Sequence, residues 1–278
     1  MRRHRLALLG VVIILAVAGL ALGAERLAPR PPRAQQILLR LKPPGFVDPR
    51  SGRTMWLGTD HLGRDILSRI IYGSRISLAV SLPAVLVSAT LGLTLGLVAG
   101  FYRGWFENLV MRLVDLQLAF PFILLALSII ALMGPSLRNI ILVFAVTSWP
   151  IYATTTRGSV LSLREREFVQ AARGLGAGDR RILWHHVLPL TVSPVLVLAS
   201  FDIARMIILE SALGFLGLGI QPPTPTWGNM LADGRDYIRD AWWIATFPGL
   251  AIMITAAGVN FLGDGLRDLL DPTLEHTG

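Results

Sequence analysis

Charge-free apolar runs of bilayer length constrain this chain more than any other feature. Residues 6–24, 76–102, 139–156 and 241–263 contain no Asp, Glu, Lys or Arg. A bilayer core takes roughly 20 helical residues to cross. Lipid offers the backbone no hydrogen-bond partner, so each run is predicted to be an α-helix. Two further apolar stretches carry a few ionisable groups: Leu109–Met133 holds Arg112 and Asp115, and Leu190–Leu213 holds Asp202, Arg205 and Glu210. The expectation is an all-α polytopic membrane protein with about six transmembrane helices. With 53% hydrophobic and 16% charged residues among 278, no length remains for a large soluble domain.

The expected organisation follows from alternation. Arg2, Arg3 and Arg5 precede the first run, placing the N-terminus in the cytoplasm. A signal peptide shares that basic start, but its apolar core is shorter, about 7–15 residues, so residues 1–24 are predicted to be a retained span. Residues 25–75 form an external loop whose prolines break regular structure at first. In its second half Leu62, Ile66 and Ile70, with Asp65 and Arg69 as an i,i+4 pair, predict an amphipathic helix on the membrane surface. The loop carries ten Arg and Lys, against the positive-inside tendency, a rule that weakens for long loops. Residues 76–267 hold five spans, interrupted by a polar cytoplasmic loop, 158–189. A short cytoplasmic tail, 268–278, ends the chain.

Within the spans, Gly92, Gly96 and Gly100 lie four apart, a stripe that lets another helix approach closely, in this subunit or in a partner. Arg112 and Asp115 are spaced to neutralise each other, and Pro150 is placed to kink the fourth span. Asp202 and Arg205 are spaced to pair, whereas Glu210 has no mate on its own helix. Ionisable groups in a span face a protein interior or a water-filled path. These three are candidates for a translocation path. Trp227, Trp242 and Trp243 are expected as interfacial anchors.

The polar loop is patterned. Phe168, Ala171, Ala172 and Leu175 recur at helical spacing, Gly176 follows as a stop, and Asp179 is placed to cap a second short helix reaching Val187. Leu188-Pro189 closes the segment. Two short helices joined by a glycine turn would make a protrusion fit for docking.

Several chemistries are excluded. The charge of +8 comes almost wholly from arginines beside the spans, where anionic lipid headgroups, not nucleic acid, are the fitting partner. Without cysteine there is no disulfide, thiol or iron–sulfur chemistry. Lys42 is followed by Pro43, so no phosphate-cradling Gly-rich loop with Lys-Ser or Lys-Thr exists. His4, His61 and His276 are isolated, and His185 and His186 point to different helix faces, so no metal site is expected. No nucleophile and base stand together, and the chain reads as a non-enzyme.

QAARGLGAGDRRILWHHVLP resembles the cytoplasmic loop of the membrane subunits of ATP-binding cassette (ABC) importers, a Glu-Ala-Ala motif followed by Gly and then Leu-Pro. Gln170 stands where that family often has Glu, removing a charge, and His186 stands where it has an aliphatic residue. GTDHLGRDILSRIIYGSRISL, LESALGFLGLGIQPPTPTWG and NFLGDGLRDLLDP resemble the second permease subunit of dipeptide, oligopeptide and nickel importers. The resemblance implies the type I ABC importer permease fold in the bacterial inner membrane. It implies a heterodimeric pore with a related permease, two ATPase subunits that bind ATP and Mg, and an external solute-binding protein. No cofactor is implied in this chain. The same resemblance assigns Glu167, Phe168, Gln170, Ala171, Ala172, Arg173, Gly174, Leu175, Gly176, Leu188 and Pro189 to an ATPase-docking coupling loop. A different class of function remains open, a secondary transporter using Asp202, Arg205 and Glu210 as an ion relay.

Overall fold

The computed structural model describes residues 2–270, with side chains from Arg5 onward. The expected tail beyond Leu270, the side chains of Arg2, Arg3 and His4, and His276 lie outside the described residues. The first described element, α1 (Arg2–Leu22), is followed by the single turn α2 (Ala24–Leu27). A 3-10 turn (Ile37–Leu39) and a small hairpin, β1 (Phe46–Val47) with β2 (Thr54–Met55), form a cap at one end of the bundle. Phe46 is antiparallel to Met55 in that hairpin. Long helices then run through α3 (Ile66–Tyr102), α4 (Gly104–Leu118), α5 (Phe122–Met133) and α6 (Leu137–Leu163). At the far end lie α7 (Glu167–Gly174) and α8 (Asp179–Ile182). A π turn (Leu183–Val187) leads into α9 (Leu188–Phe215). The cap-side helix α10 (Trp227–Arg235) and α11 (Trp243–Leu270) complete the fold.

Among the described residues, five helical stretches are long and apolar enough to cross a membrane, and a sixth if α4 and α5 count as one. They do not form one straight span: α4 and α5 meet at 88°. Proline disfavours helical geometry in the residue before it and lacks an N–H. Pro121 therefore ends α4 near Phe120 and starts α5 in a new direction. Nor do Arg112 and Asp115 form an ion pair among the described residues.

The glycine stripe is where α3 and α6 meet. A Cβ at Gly92 would stand 2.5 Å from the Trp149 carbonyl oxygen, one at Gly96 2.9 Å from Thr156 Cβ, and one at Gly100 3.0 Å from Val160 Cβ. The contact lies within this chain, and side chains as small as methyls would force the helices apart. A similar close approach joins α1 to α11, with Gly10 against the Gly258 carbonyl. Val80, Ala84, Ile130, Ile140, Phe144 and Met206 fill the centre from α3, α5, α6 and α9.

The expected surface helix around Asp65 is not separate. Asp65 is the N-cap of α3, its carboxylate accepting from the Ser68 N–H at 2.8 Å. Ile66 onward then continues unbroken into the span. Arg69 is buried, and pairs with Asp60 and Asp233 instead of Asp65. The loop thus ends ten residues earlier than alternation suggested. Trp227 and Trp243 also depart from expectation. Both are buried, and their indole N–H groups donate to the carbonyls of Ile70 (3.0 Å) and Thr59 (3.1 Å), so they fasten the cap to the spans. Trp242 is half exposed.

Candidate functional site

Two places concentrate functional side chains, one at the far end of the bundle and one at mid-depth. At the far end, α7 is held by its buried face. Val169 is fully buried and Ala172 packs beside it against Leu97, Phe101, Val160, Ile182 and Leu183. Gly176, at φ +82°, ends the helix: its N–H donates to the Arg173 carbonyl and the Ala177 N–H to the Ala172 carbonyl. These are the two bonds of a Schellman stop, which needs the left-handed backbone that glycine adopts freely. Arg164 reaches the Phe101 carbonyl (2.9 Å), Arg173 lies over the Phe101 ring, and Arg173 approaches Asp179 at 3.5 Å.

The outward face of this seated helix is apolar. Phe168, Ala171 and Leu175, spaced i, i+3 and i+7, are exposed, Leu175 to 89%. Glu167, Gln170, Arg173, Gly174 and Gly176 are exposed around them. The sequence grouped Ala172 with that stripe, but the structure turns it half inward, because Val169 rather than Phe168 anchors the helix.

Beyond the turn, the expected second short helix does not stand apart. Gly178 is its N-cap, Asp179 opens it, and the helix continues as one run from Asp179 to Phe215. Leu188 and Pro189 sit inside this run instead of closing the segment. Pro189 has no N–H for the His185 carbonyl, and the chain widens into the π turn, where the Leu188 N–H donates to the Leu183 carbonyl.

At mid-depth, α9 carries the three ionisable groups, and the structure separates them. The Asp202 carboxylate accepts from the Tyr152 hydroxyl (2.9 Å) and from Arg205 (3.3 Å). The Arg205 guanidinium lies 4.6 Å from the centre of the Phe122 ring, a cation–π contact. Its side chain is 41% exposed, while that of Asp202 is 3% exposed. Glu210 lies apart and fully buried; Ser77 and Ser211 donate to one of its oxygens at 3.4 and 3.5 Å. A cavity of about 390 Å³ opens beside Arg205, where the α4–α5 bend leaves room against α6. Pro150 shapes its wall. Without a proline N–H the Val146 carbonyl loses its helical partner, and the Gln117 amide supplies one, donating to Val146 (2.9 Å) and Thr147 (2.8 Å). Gln117 Oε1 in turn accepts from the Trp149 indole (3.0 Å). Sequence reasoning missed Tyr152, Gln117 and Phe122. Pro121 and Pro150 were the available signals, since each leaves backbone groups that another helix must satisfy.

On the cap, Asp60, His61 and Asp233 bring potential ligand atoms within 4.8 Å of one another. Both carboxylates are already engaged, Asp60 by Arg64 (2.6 Å) and Arg69, and Asp233 by Arg64 (2.9 Å) and Arg69 (3.2 Å). The cluster is an ion-pair clamp between the loop, α3 and α10. Burial pushes the Asp60 carboxyl up, but Arg69 and Arg64 more than offset this and hold it below the usual range. The Ser51 hydroxyl, with the Arg50 amide and Arg30, pulls Asp48 down to about 2.

Residues 92–276 match the family described as binding-protein-dependent transport system inner membrane component. The chain belongs to that family. Its members have the type I ABC importer permease fold, which accounts for the multi-pass helical architecture in an inner membrane. Residues 1–44 match the N-terminal TM domain of oligopeptide transport permease C. The chain is 46% identical over 275 residues to the dipeptide transport system permease protein DppC of Escherichia coli K12, covering 99% of this chain and 91% of that protein. It is 44% identical over 270 residues to the di/tripeptide transport system permease protein DppC of Pseudomonas aeruginosa UCBPP-PA14, covering 97% and 89%. With the dipeptide transport system permease protein DppC of Alkalihalophilus pseudofirmus it shares 42% identity over 275 residues, covering 99% and 88%.

Proposed function

We propose that this chain forms half of the translocation path of an ATP-driven importer of short peptides. The other half is a related permease, ATP and Mg are bound and hydrolysed by two partner ATPases on the α7 side, and an external solute-binding protein delivers the cargo to the cap side. Peptide cargo is favoured over nickel by the names of the relatives. The α7 side faces the cytoplasm in this reading, consistent with Arg157, Arg164, Arg166, Arg173, Arg180 and Arg181 outnumbering Glu165, Glu167 and Asp179.

The observation that carries the docking role is the exposed Phe168, Ala171 and Leu175 stripe on a helix whose opposite face is fixed in the bundle. An apolar face kept in water by a rigid seat is suited to a hydrophobic cleft on a partner. The ion-relay alternative loses support from the same geometry. Asp202 and Glu210 are eight residues apart on one helix, about 12 Å in rise, and their side chains share no partner: Tyr152 and Arg205 engage Asp202, whereas Ser77 and Ser211 engage Glu210.

The test is uptake by the complete complex in proteoliposomes. Leu175→Asp should abolish ATP-dependent peptide uptake, because a charge would be buried in the contact, while the folded chain keeps its melting temperature. Uptake that persists in this variant removes the docking role. Uptake driven by an ion gradient without ATP replaces the importer reading with the relay.

A further inference from the structure

We infer that the cavity beside Arg205 is a subsite for the terminal carboxylate of the peptide in transit, with Arg205 as the binding residue. This deepens the peptide-importer reading and rests on it.

The position is right for a path. Arg205 lies in the middle of α9, and the facing wall is the middle of α6, Thr147 to Thr154. A guanidinium at this depth is tolerated only toward water or protein, never toward lipid tails. Arg205 is also under-used. Guanidinium presents five donors in a planar fork, yet among the described residues its hydrogen bonding is limited to the 3.3 Å contact with Asp202. Tyr152 holds the other Asp202 oxygen, and Asp202 engages the guanidinium at Nη1 alone, leaving Nε and Nη2 without a hydrogen-bond partner among the described residues. Phe122 covers one flat face at 4.6 Å. What remains open is the edge that carboxylates engage with two parallel bonds.

Ser148 lines the cavity and is 98% buried by area, at 2% exposure, and its hydroxyl has no hydrogen-bond partner. That hydroxyl is enclosed in the bundle and does not reach the cavity surface, so Arg205 is the group a ligand meets. The neighbouring polar groups are already satisfied: Gln117 by the α6 backbone and Trp149, Thr147 and Thr154 by carbonyls of their own helix. The volume of about 390 Å³ is in the range of small-molecule sites.

Proteoliposomes with the full complex and its binding protein would be given Ala-Ala or Ala-Ala amide. The binding protein's own preference is common to every variant, so a change in the acid-to-amide uptake ratio reports the membrane path. Arg205→Gln should lower that ratio at least fivefold, and Arg205→Lys should lower it less. An unchanged ratio in Arg205→Gln overturns the subsite. If the wild-type complex imports neither compound, the peptide reading itself fails, a result distinct from an unchanged ratio. Should Arg205→Gln not assemble, Ile151→Cys decides, since Ile151 lines the cavity and is 38% exposed. The chain has no native cysteine, so a small water-soluble methanethiosulfonate reagent would modify that site alone in this subunit. Modification that Ala-Ala slows and the amide does not supports the subsite; no modification, or equal protection by both, overturns it.

Discussion

Two arginine–carboxylate assemblies stand at different depths in this molecule, and they are built to opposite ends. On the cap, Arg64 and Arg69 share Asp60 and Asp233, so each charge meets at least two of the other sign. At mid-depth, Arg205 has one long contact with Asp202 and a half-exposed side chain. Saturated pairing holds a loop onto a helix bundle. An arginine left with free donors beside a cavity is equipped to bind something else. The contrast separates charges that serve the fold from charges available for function, and residue type alone does not make that distinction.

The largest expected effect tests the saturated cluster. Asp60→Asn leaves Arg69 buried without its closest partner, and removing one member of a buried pair costs about 3–5 kcal/mol. A steep loss of melting temperature in detergent should follow. The same change at mid-depth, Asp202→Asn, should cost much less, about 1 kcal/mol, since Tyr152 still finds an acceptor and Arg205 reaches a wet cavity. Equal losses in the two variants would break the comparison. Next in size is Gly96→Leu, which forces α3 from α6 and is expected to cost at least 1–3 kcal/mol by overpacking. It controls for damage unrelated to charge.

Acid sharpens the contrast further. The Asp60 carboxyl is held below its ordinary value, and Asp48 at about 2. A depressed carboxyl contributes stability that is fully present above the unfolded value near 3.9 and is lost as pH falls through the folded one. Cap stability should therefore be flat from pH 7 to about 4 and decline from there toward about 2. Fluorescence of Trp243, bonded to the carbonyl of Thr59 beside Asp60, is the readout; a decline beginning at pH 6 would contradict the assignment. Trp227→Phe removes one hydrogen bond to Ile70, worth about 1 kcal/mol, together with some buried packing, and should loosen the cap without altering the mid-depth pair.

The membrane spans were legible because lipid imposes one simple rule on composition, and their approximate ends follow from where charges begin. Other features were hidden because they depend on partners far away in sequence. Asp65 and Arg69 satisfy the spacing of a helical pair, yet capping claims the first and Asp60 with Asp233, 164 residues from Arg69, claims the second. Pro121 was read through as part of one span, although it turns the chain by nearly a right angle. Tryptophans beside spans suggested the membrane interface, but two of them find backbone carbonyls inside. At the mid-depth site the sequence put Asp202 and Arg205 on one helical turn. It could not place Tyr152, Phe122 or Gln117 against them, nor reveal that Glu210 lies apart.

The unbroken helix from Asp179 to Phe215 has a mechanical consequence. Asp179, next to the docking segment, and Arg205, beside the cavity, are 26 residues apart on a single rod, about 39 Å in length. No loop intervenes to absorb motion. A tilt imposed at one end would swing the guanidinium at the other, so the rod would act as a lever between the proposed ATPase contact and the proposed cargo subsite.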